Sequence, residues 1–222
     1  MFVAAAGRFQ MNQVVDAVLA EVRPEAEPGG WGIAYCYGNR LELTRSTVPC
    51  RNDPEFLQLA ERRTDMMVLV PDNRPGILAR EIQPFVRREA RQTWAFCHQG
   101  QVVCPDELDT GNRWPDSDSP SEKLFLHVLS RFDKEAPVET ATAALRGLNA
   151  EKGLSCCLIG SEIMLAASWS DSDQEHNGLW YGRGELVLYV SGRPLRSLPD
   201  IEWEPAGSHS VIAIRRTRRE VT

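Results

Sequence analysis

Residues 94–102, WAFCHQGQV, contain a short polar run between two apolar stretches. The run consists of His98, Gln99 and Gly100, which supply an imidazole, a side-chain amide and a sterically open backbone N–H. Groups of these types can donate hydrogen bonds to a developing negative charge, as in the oxyanion holes of acyl-transfer enzymes. The pattern predicts a strand, a tight polar turn and a second strand, with this turn as a candidate site.

Cysteine is the obvious nucleophile to look for beside such a turn, and Cys97 directly precedes His98. Successive side chains of a strand point to opposite faces, so these two are not expected to pair as nucleophile and base. Cys36 lies within the apolar run IAYCY and is interpreted as a core residue. None of the six cysteines forms a C-x-x-C pair. Reduced thiols in a cytosolic protein are therefore expected, with no metal site and no cofactor.

The remaining titratable groups are interpreted as surface features. His127 is expected at the margin of a helix surface, and His176 and His209 have no spacing that suggests a metal site. Residues 170–177, SDSDQEHN, read as an acidic surface loop. The one basic cluster is predicted to be a solvated tail; its members are Arg215, Arg216, Arg218 and Arg219.

Composition limits the classes of protein that the chain can represent. The 222 residues, 42% hydrophobic and 25% charged, suit a single globular domain, predicted to cover residues 1–222. The formal net charge of −6 argues against a nucleic-acid partner, because no net positive field attracts phosphate. No apolar run approaches the roughly 20 residues of a membrane span, and MFVAAAGRFQ lacks the features of a signal peptide. A cytoplasmic location is expected.

The first half of the chain reads as strands interrupted by two helices. Helix QMNQVVDAVLAEV has one apolar face, and helix NDPEFLQLAERR is predicted to start with Asp53 as its cap and Pro54 as its first residue. Strands are predicted at residues 2–5 and 66–70, together with a hairpin in WGIAYCYGNRLELTR that turns at Gly38-Asn39.

The second half places two helices before further strands. Residues 105–120 are predicted to be a polar surface loop, followed by helix SPSEKLFLHVLSRF with a capping box between Ser119 and Glu122. A helix around 138–150 leads into a hairpin, GLSCCLIGSEIMLAAS, with a strand predicted at 154–159, and then into two last strands, ELVLYV and HSVIAI. This order predicts an α+β sandwich in which helices cover stacked sheets.

Five segments, in this order, resemble the stand-alone class II glutamine amidotransferases of the N-terminal-nucleophile hydrolase fold. They are GWGIAYCYGNRLEL, EIQPFVRREARQTWAFCHQGQV, SPSEKLFLHVL, KGLSCCLIGSEIMLAAS and LYVSGRPLRSLPDIEWEPAGSHSVIAI. The resemblance implies a four-layer αββα sandwich of two antiparallel sheets. It also implies a site in which an N-terminal cysteine attacks glutamine, with its own α-amine as the base.

The positions that match this site carry other residues here. Phe2 stands where the family has its cysteine, and initiator Met is expected to be retained before so large a residue. The place of the arginine that grips the glutamine carboxylate falls near Val70, with Arg74 four residues on. Gln99 replaces an asparagine beside a matching Gly100, and Pro120 replaces the aspartate that holds the substrate's amino group. Phe2 is expected to turn inward and plug the site.

The candidate ligand pocket therefore comprises Phe2, Val70, Arg74, His98, Gln99, Gly100 and Pro120, with no catalytic residue expected. The sequence predicts an amidotransferase-like protein that has lost glutaminase activity and acts in binding, regulation or scaffolding. Its partner would be an active paralogue or an ammonia-using synthase. The alternative is an amidohydrolase that acts on another amide through a rearranged pocket.

Overall fold

The computed structural model of the chain describes residues 1–22, 29–89, 92–150, 153–170 and 178–216. Strands β1 to β12 of these ranges are Val3–Gln10, Gly30–Tyr37, Arg40–Ser46, Arg63–Asp72, Phe85–Glu89, Gln92–Gly100, Leu154–Ile159, Ile163–Trp169, Trp180–Arg183, Val187–Ser191, Glu202–Pro205 and Ser210–Arg215. Helices α1 to α4 are Met11–Glu21, Pro54–Ala60, Pro120–Arg131 and Pro137–Leu145. None of these four helices has the length and apolar character that crossing a membrane requires.

The strands form two antiparallel sheets. The seven-stranded sheet has the order β11-β9-β10-β1-β4-β2-β3, and the five-stranded sheet has the order β12-β8-β7-β6-β5. Every strand pairing in them is antiparallel. The predicted strands at 66–70 and 154–159 are confirmed, and the first strand starts at Val3, one residue later than predicted.

Three apolar layers hold the two sheets and the helices together. Val14 of α1 and Phe56 of α2 pack on the outer face of the seven-stranded sheet. Phe125 of α3 and Leu145 of α4 pack on the outer face of the five-stranded sheet. A third cluster, which includes Val68 of β4, fills the space between the sheets. The predicted αββα sandwich is therefore confirmed.

The start of α2 follows its sequence signal. Pro54 is the first helical residue, and the Asp53 carboxylate accepts a hydrogen bond of 3.0 Å from the backbone N–H of Glu55. The same carboxylate accepts a bond of 3.1 Å from the Trp31 indole N–H. The cap thereby ties α2 to β2, which lies below it in the seven-stranded sheet.

The predicted capping box of α3 is wrong. Ser119 makes no side-chain hydrogen bond to the helix. The buried Glu122 carboxylate instead accepts bonds of 2.9 Å from Asp116 N–H and 2.8 Å from Ser117 N–H. Glu122, on the first turn of α3, therefore stabilises the preceding loop and does not cap the helix.

Two polar residues predicted at the surface are buried or paired. His127 of α3 is only 8% exposed, because α4 covers it and the Ala144 carbonyl lies 2.9 Å from its Nε2. Arg216 is not solvated: its guanidinium pairs with Asp65 at 2.7 Å and donates to the Ser161 carbonyl. Arg215 is exposed at the end of β12. Residues 217–222, which include Arg218 and Arg219, and residues 171–177 of the acidic loop lie outside the described residues.

Candidate functional site

His98, Gln99 and Gly100 do not form a turn, contrary to the sequence prediction. They are the last residues of β6, where Gln99 pairs with Ser155 and Gly100 with Leu154 of β7. In this region β6 instead pairs antiparallel with β5, in a register that includes Glu89 opposite Gln92. Turn-like composition was misleading because a polar strand end and a turn use the same residue types.

Gly100 occupies a position that only glycine fits well. Its φ is 108°, outside the region that other residues adopt readily. A Cβ at this position would lie 2.3 Å from the Gly153 carbonyl oxygen. The backbone geometry therefore explains why position 100 is a glycine, and no bound ligand is needed to explain it.

His98 and Cys97 point to opposite faces of the five-stranded sheet, as predicted. Cys97 belongs to the cluster between the sheets, whereas alternation directs His98 to the face that carries Phe96 and α3. The backbone N–H of His98 donates to the Gln83 side-chain carbonyl at 2.6 Å. These two side chains therefore cannot act as a nucleophile and its base.

The His98 ring is a buried neutral group. Both ring nitrogens are shielded from solvent, and within the described residues neither has a hydrogen-bond partner of normal geometry. Burial lowers the pKa of His98 to about 4, and the Gly100 backbone offsets only part of that effect. A ring in this state is uncharged at neutral pH.

Gln99 lies on the same face of β6 as Cys97 and reaches the seven-stranded sheet. A Cβ on Gly192 would lie 2.5 Å from the Gln99 side-chain oxygen, so this amide packs directly over Gly192. The preceding residue, Ser191, donates a hydrogen bond of 3.3 Å to the Phe2 carbonyl. Gly192 and Ser191 thus connect Gln99 to the start of β1.

Phe2 and Val70 are apolar walls of the space between the sheets. Phe2 is completely buried and Val70 is 6% exposed, in one cluster with the Cys97 thiol. The expected inward orientation of Phe2 is confirmed. In this cluster, neither of these two side chains offers a nucleophile or a charge to a ligand.

Arg74 is engaged within the chain. Its guanidinium forms a bidentate pair with Asp72, with Nε–Oδ1 and Nη2–Oδ2 distances of 3.0 and 2.7 Å. The hydrogen bond to Asp72 raises the pKa of Arg74, and the Asp72 side chain is only 7% exposed. The fork that could hold a ligand carboxylate is therefore occupied by a carboxylate of the protein itself.

Pro120 is an exposed residue at the first position of α3. Its side chain has no polar atom, so this position cannot accept a hydrogen bond from an amino group. The structure therefore places Phe2 and Val70 in one buried cluster and Gln99 over Gly192, while Arg74 and Pro120 are at the surface.

The buried thiols are poor nucleophiles. Burial, followed by contact with Cys157, raises the pKa of Cys97 well above its usual range. Burial likewise raises the pKa of Cys36 to about 11. Because the thiolate is the reactive form, neither sulfur is activated at neutral pH. Within the described residues, no three His, Cys, Asp or Glu side chains are grouped as metal ligands.

Sequence reasoning missed Asp72, Gln83 and Gly192, which take up the polar groups near the candidate pocket. Asp72 carried a usable signal, because Asx side chains commonly bond the backbone two residues on, as it does to Arg74 N–H. Gln83 and Gly192 act across the fold, and no local pattern indicates such contacts.

Two surface clefts, of about 510 and 760 Å³, lie away from these residues. Glu89, Arg113 and Ser130 line both clefts, and none of the seven candidate pocket residues lines either one. Neither of these two clefts is therefore the candidate pocket.

Comparison with known protein sequences gives matches over part of the chain. A family model described as class II glutamine amidotransferases matches residues 18–155. The Escherichia coli (strain K12) protein YafJ, named as a candidate glutamine amidotransferase, is 26% identical over 112 residues, which are 49% of this chain and 44% of that protein. An uncharacterized Methanocaldococcus jannaschii protein is 25% identical over 118 residues, 50% of this chain and 33% of its own. The matched part of the chain spans less than half the length of either relative.

Solved structures share the whole fold. The glutamine phosphoribosylpyrophosphate amidotransferase of B. subtilis superimposes with a TM-score of 0.71 at 13% identity, covering 98% of this chain and 49% of that one. The glutamine aminotransferase class-II domain protein of Silicibacter pomeroyi gives a TM-score of 0.65 at 16% identity, covering 98% and 99% of the two chains. At these low sequence identities, the likeness shows a shared fold and nothing about activity. Because the family model covers more than half of its residues, the chain belongs to the class II glutamine amidotransferase family.

Proposed function

We propose that this chain has lost glutaminase activity and acts as a binding, regulatory or scaffolding protein. The observation that carries the proposal is Phe2, which lies immediately before β1, where the family resemblance expects the nucleophilic cysteine, and is completely buried. A phenyl ring cannot attack an amide, so no thioester can form at this position. Loss of a nucleophile alone removes most of an enzyme's rate.

Loss of the glutamine contacts supports the same conclusion. Val70 and Pro120 occupy the places of a carboxylate-binding arginine and an ammonium-binding aspartate, and Arg74 is paired with Asp72. Each buried polar contact left unmade costs about 1–3 kcal/mol. Two such losses would weaken glutamine binding by roughly 100-fold or more.

Relocated chemistry is not favoured by the remaining groups. Cys97, the thiol beside the candidate site, is buried, faces away from His98 and has a raised pKa. An amidohydrolase working through a rearranged pocket would need an exposed, activated nucleophile there.

A binding role requires a partner protein and a cellular location in which the two proteins meet. The fold would let the chain, as a single domain of residues 1–222, occupy the position of a glutaminase beside an active paralogue or an ammonia-using synthase. A cytoplasmic location suits its six free cysteines, five of which are buried as reduced thiols.

An ammonia assay tests the loss of activity. The purified chain, incubated with glutamine, is expected to release no ammonia above a buffer blank, measured with coupled glutamate dehydrogenase. Turnover that disappears in Gln99→Ala and persists in Tyr37→Ala, whose side chain is exposed at a distant hairpin, would contradict the proposal. A thermal-shift series with glutamine, other amino acids and small amides tests binding, and glutamine should not raise the melting temperature.

The Phe2→Cys variant sharpens this test. It supplies a thiol at the vacated position but leaves Val70 and Pro120 unchanged, so ammonia release should stay at the blank. The variant should also melt at a lower temperature than the unmodified chain, because it leaves a cavity between the sheets. Restored glutaminase activity would show that the missing substrate contacts are dispensable.

A further inference from the structure

Trp114 is the most exposed large apolar side chain among the described residues, at 83% of its surface. It lies in residues 109–119, which connect β6 and its following turn to α3 and are called here the Trp114 loop. Leaving an indole in water forgoes the burial of a large apolar surface, and tryptophan is enriched at interfaces, where a partner covers its ring.

The loop is fixed to the edge strand β5 by charged groups. Arg113 forms a bidentate pair with Glu89, with an Nη2–Oε2 distance of 2.9 Å. Arg87 pairs with Asp116 at 3.0 Å and also donates to the backbone carbonyl of Trp114. The backbone at Trp114 is thus held from β5 without any contribution from the indole.

Helix α3 holds the two ends of the same loop. Arg131 pairs with Asp109 at 3.0 Å, and Glu122 accepts hydrogen bonds from the backbone of Asp116 and Ser117. Within the loop, Thr110 Oγ1 donates to the Arg113 carbonyl at 2.9 Å. A loop ordered before binding loses little conformational entropy on binding, which favours a recognition role over a merely tolerated surface residue.

The charges around the indole indicate the chemistry of a partner. Residues 105–119 contain five acidic side chains and one basic one, and three of the acids pair with Lys123, Arg131 and Arg87 of neighbouring elements, which leaves an excess of acidic groups. Asp109 and Asp116 remain 64% and 77% exposed although each is ion-paired. An apolar anchor inside an acidic rim is complementary to an apolar pocket bordered by Lys and Arg.

We propose that the Trp114 loop is a docking element for a protein partner with an apolar pocket bordered by lysine and arginine. A second copy meeting the same loop would bring two acidic rims together, and an anionic lipid surface would repel this rim. The proposal does not depend on the loss of glutaminase activity, because the ion pairs and hydrogen bonds that hold the loop involve none of the candidate pocket residues, although Pro120 directly follows the loop in sequence.

Site-specific cross-linking followed by titration tests the proposal. A photoreactive amino acid at position 114, in the full chain expressed in its own cells, identifies the contacting protein. That protein, purified, is then titrated with the unmodified chain, with Trp114→Ala and with the control Tyr37→Ala, whose side chain is 63% exposed on a different hairpin. Trp114→Ala should weaken binding at least tenfold and Tyr37→Ala less than twofold. Asp118→Lys should weaken it several-fold at low salt and less at high salt.

Any of the following outcomes would overturn the proposal that the Trp114 loop is a docking element. Equal affinity of Trp114→Ala and the unmodified chain would remove the anchor from the interface. Cross-links only to a second copy of the chain, or to lipid, would identify a different occupant. Absence of any cross-linked protein, with the chain expressed and folded by its melting curve, would leave the loop without a partner.

Discussion

The core around Phe2 and the Trp114 loop differ in what they bury: the first buries apolar side chains, and the second exposes one. Around Phe2, apolar side chains from both sheets form a buried cluster. In the Trp114 loop, ion pairs and backbone hydrogen bonds hold an apolar side chain out in water. The first region contributes stability and offers little to a ligand, whereas the second offers a binding surface at no evident gain in stability.

This difference teaches where selection for function can still be seen in a family member without the expected nucleophile. An enzyme site usually sacrifices stability for chemistry, and a site released from chemistry can be filled by apolar groups. The following substitutions test whether the two regions differ in this way.

Phe2→Ala should have the largest effect. It removes a completely buried ring from between the sheets, so the free energy of unfolding should fall by about 3–5 kcal/mol. Urea denaturation measures the change, with Phe2→Leu as a milder, better-filling control. A loss below about 1 kcal/mol would mean that Phe2 does not fill the space between the sheets, and would contradict the stabilising role of the core around Phe2.

His98 should make the same region sensitive to acid. Folded His98 stays neutral down to about pH 4, whereas the unfolded residue titrates near pH 6.5. Protons therefore bind preferentially to the unfolded chain between these values, and stability falls as the pH falls from about 6.5 to 4, by about 3 kcal/mol in total.

Urea denaturation at several pH values between 7 and 4 checks this prediction against the His98→Asn variant. The variant should have a flatter profile. It will keep some slope, because burial also lowers the pKa of His127. Identical slopes for the variant and the unmodified chain would show that His98 is protonated in the folded state.

Glu122→Ala should loosen the Trp114 loop. The substitution leaves the backbone N–H groups of Asp116 and Ser117 without their acceptor, which should cost about 1–3 kcal/mol. Glu122→Gln, which keeps an acceptor oxygen, is the matched control and should cost less. Hydrogen exchange at residues 116 and 117 should accelerate in the alanine variant, and unchanged exchange would contradict the role of this carboxylate.

Trp114→Ala should have the smallest effect on folding. The indole is exposed and the loop is held by groups that the substitution leaves in place, so stability should change by less than about 0.5 kcal/mol. Calorimetric melting curves provide the measurement. A large loss of stability would mean that the indole packs on the protein, and the contrast with Phe2 would disappear.

Elements with strong local signals could be predicted from the sequence. One example is the run MMVLV inside β4, whose continuous apolar character predicts a strand buried on both faces. Another is the start of α2 at Asp53-Pro54, because helix capping depends on adjacent residues. The short strands β9 and β11 were missed, since each has four residues and depends on pairing with distant strands.

The candidate site was less predictable than the fold. The positions of Phe2 and Val70 could be inferred from the resemblance, and their burial follows from their apolar side chains. The pairing of Arg74 with Asp72, and the coverage of His127 by α4, required knowledge of which elements meet in space. The same holds for Arg216, whose partners lie more than 50 residues away along the chain.

The position of β1 in the seven-stranded sheet also governs how the chain can fold during its synthesis. β1 lies between β4 and β10, and Val3 pairs with Leu69 on one side and Ser191 on the other. Until the ribosome has added β10, one edge of this apolar strand has no partner. Contacts between residues so far apart in sequence slow folding and leave an exposed strand edge open to aggregation. The nascent chain therefore depends on its last third before its first strand is protected.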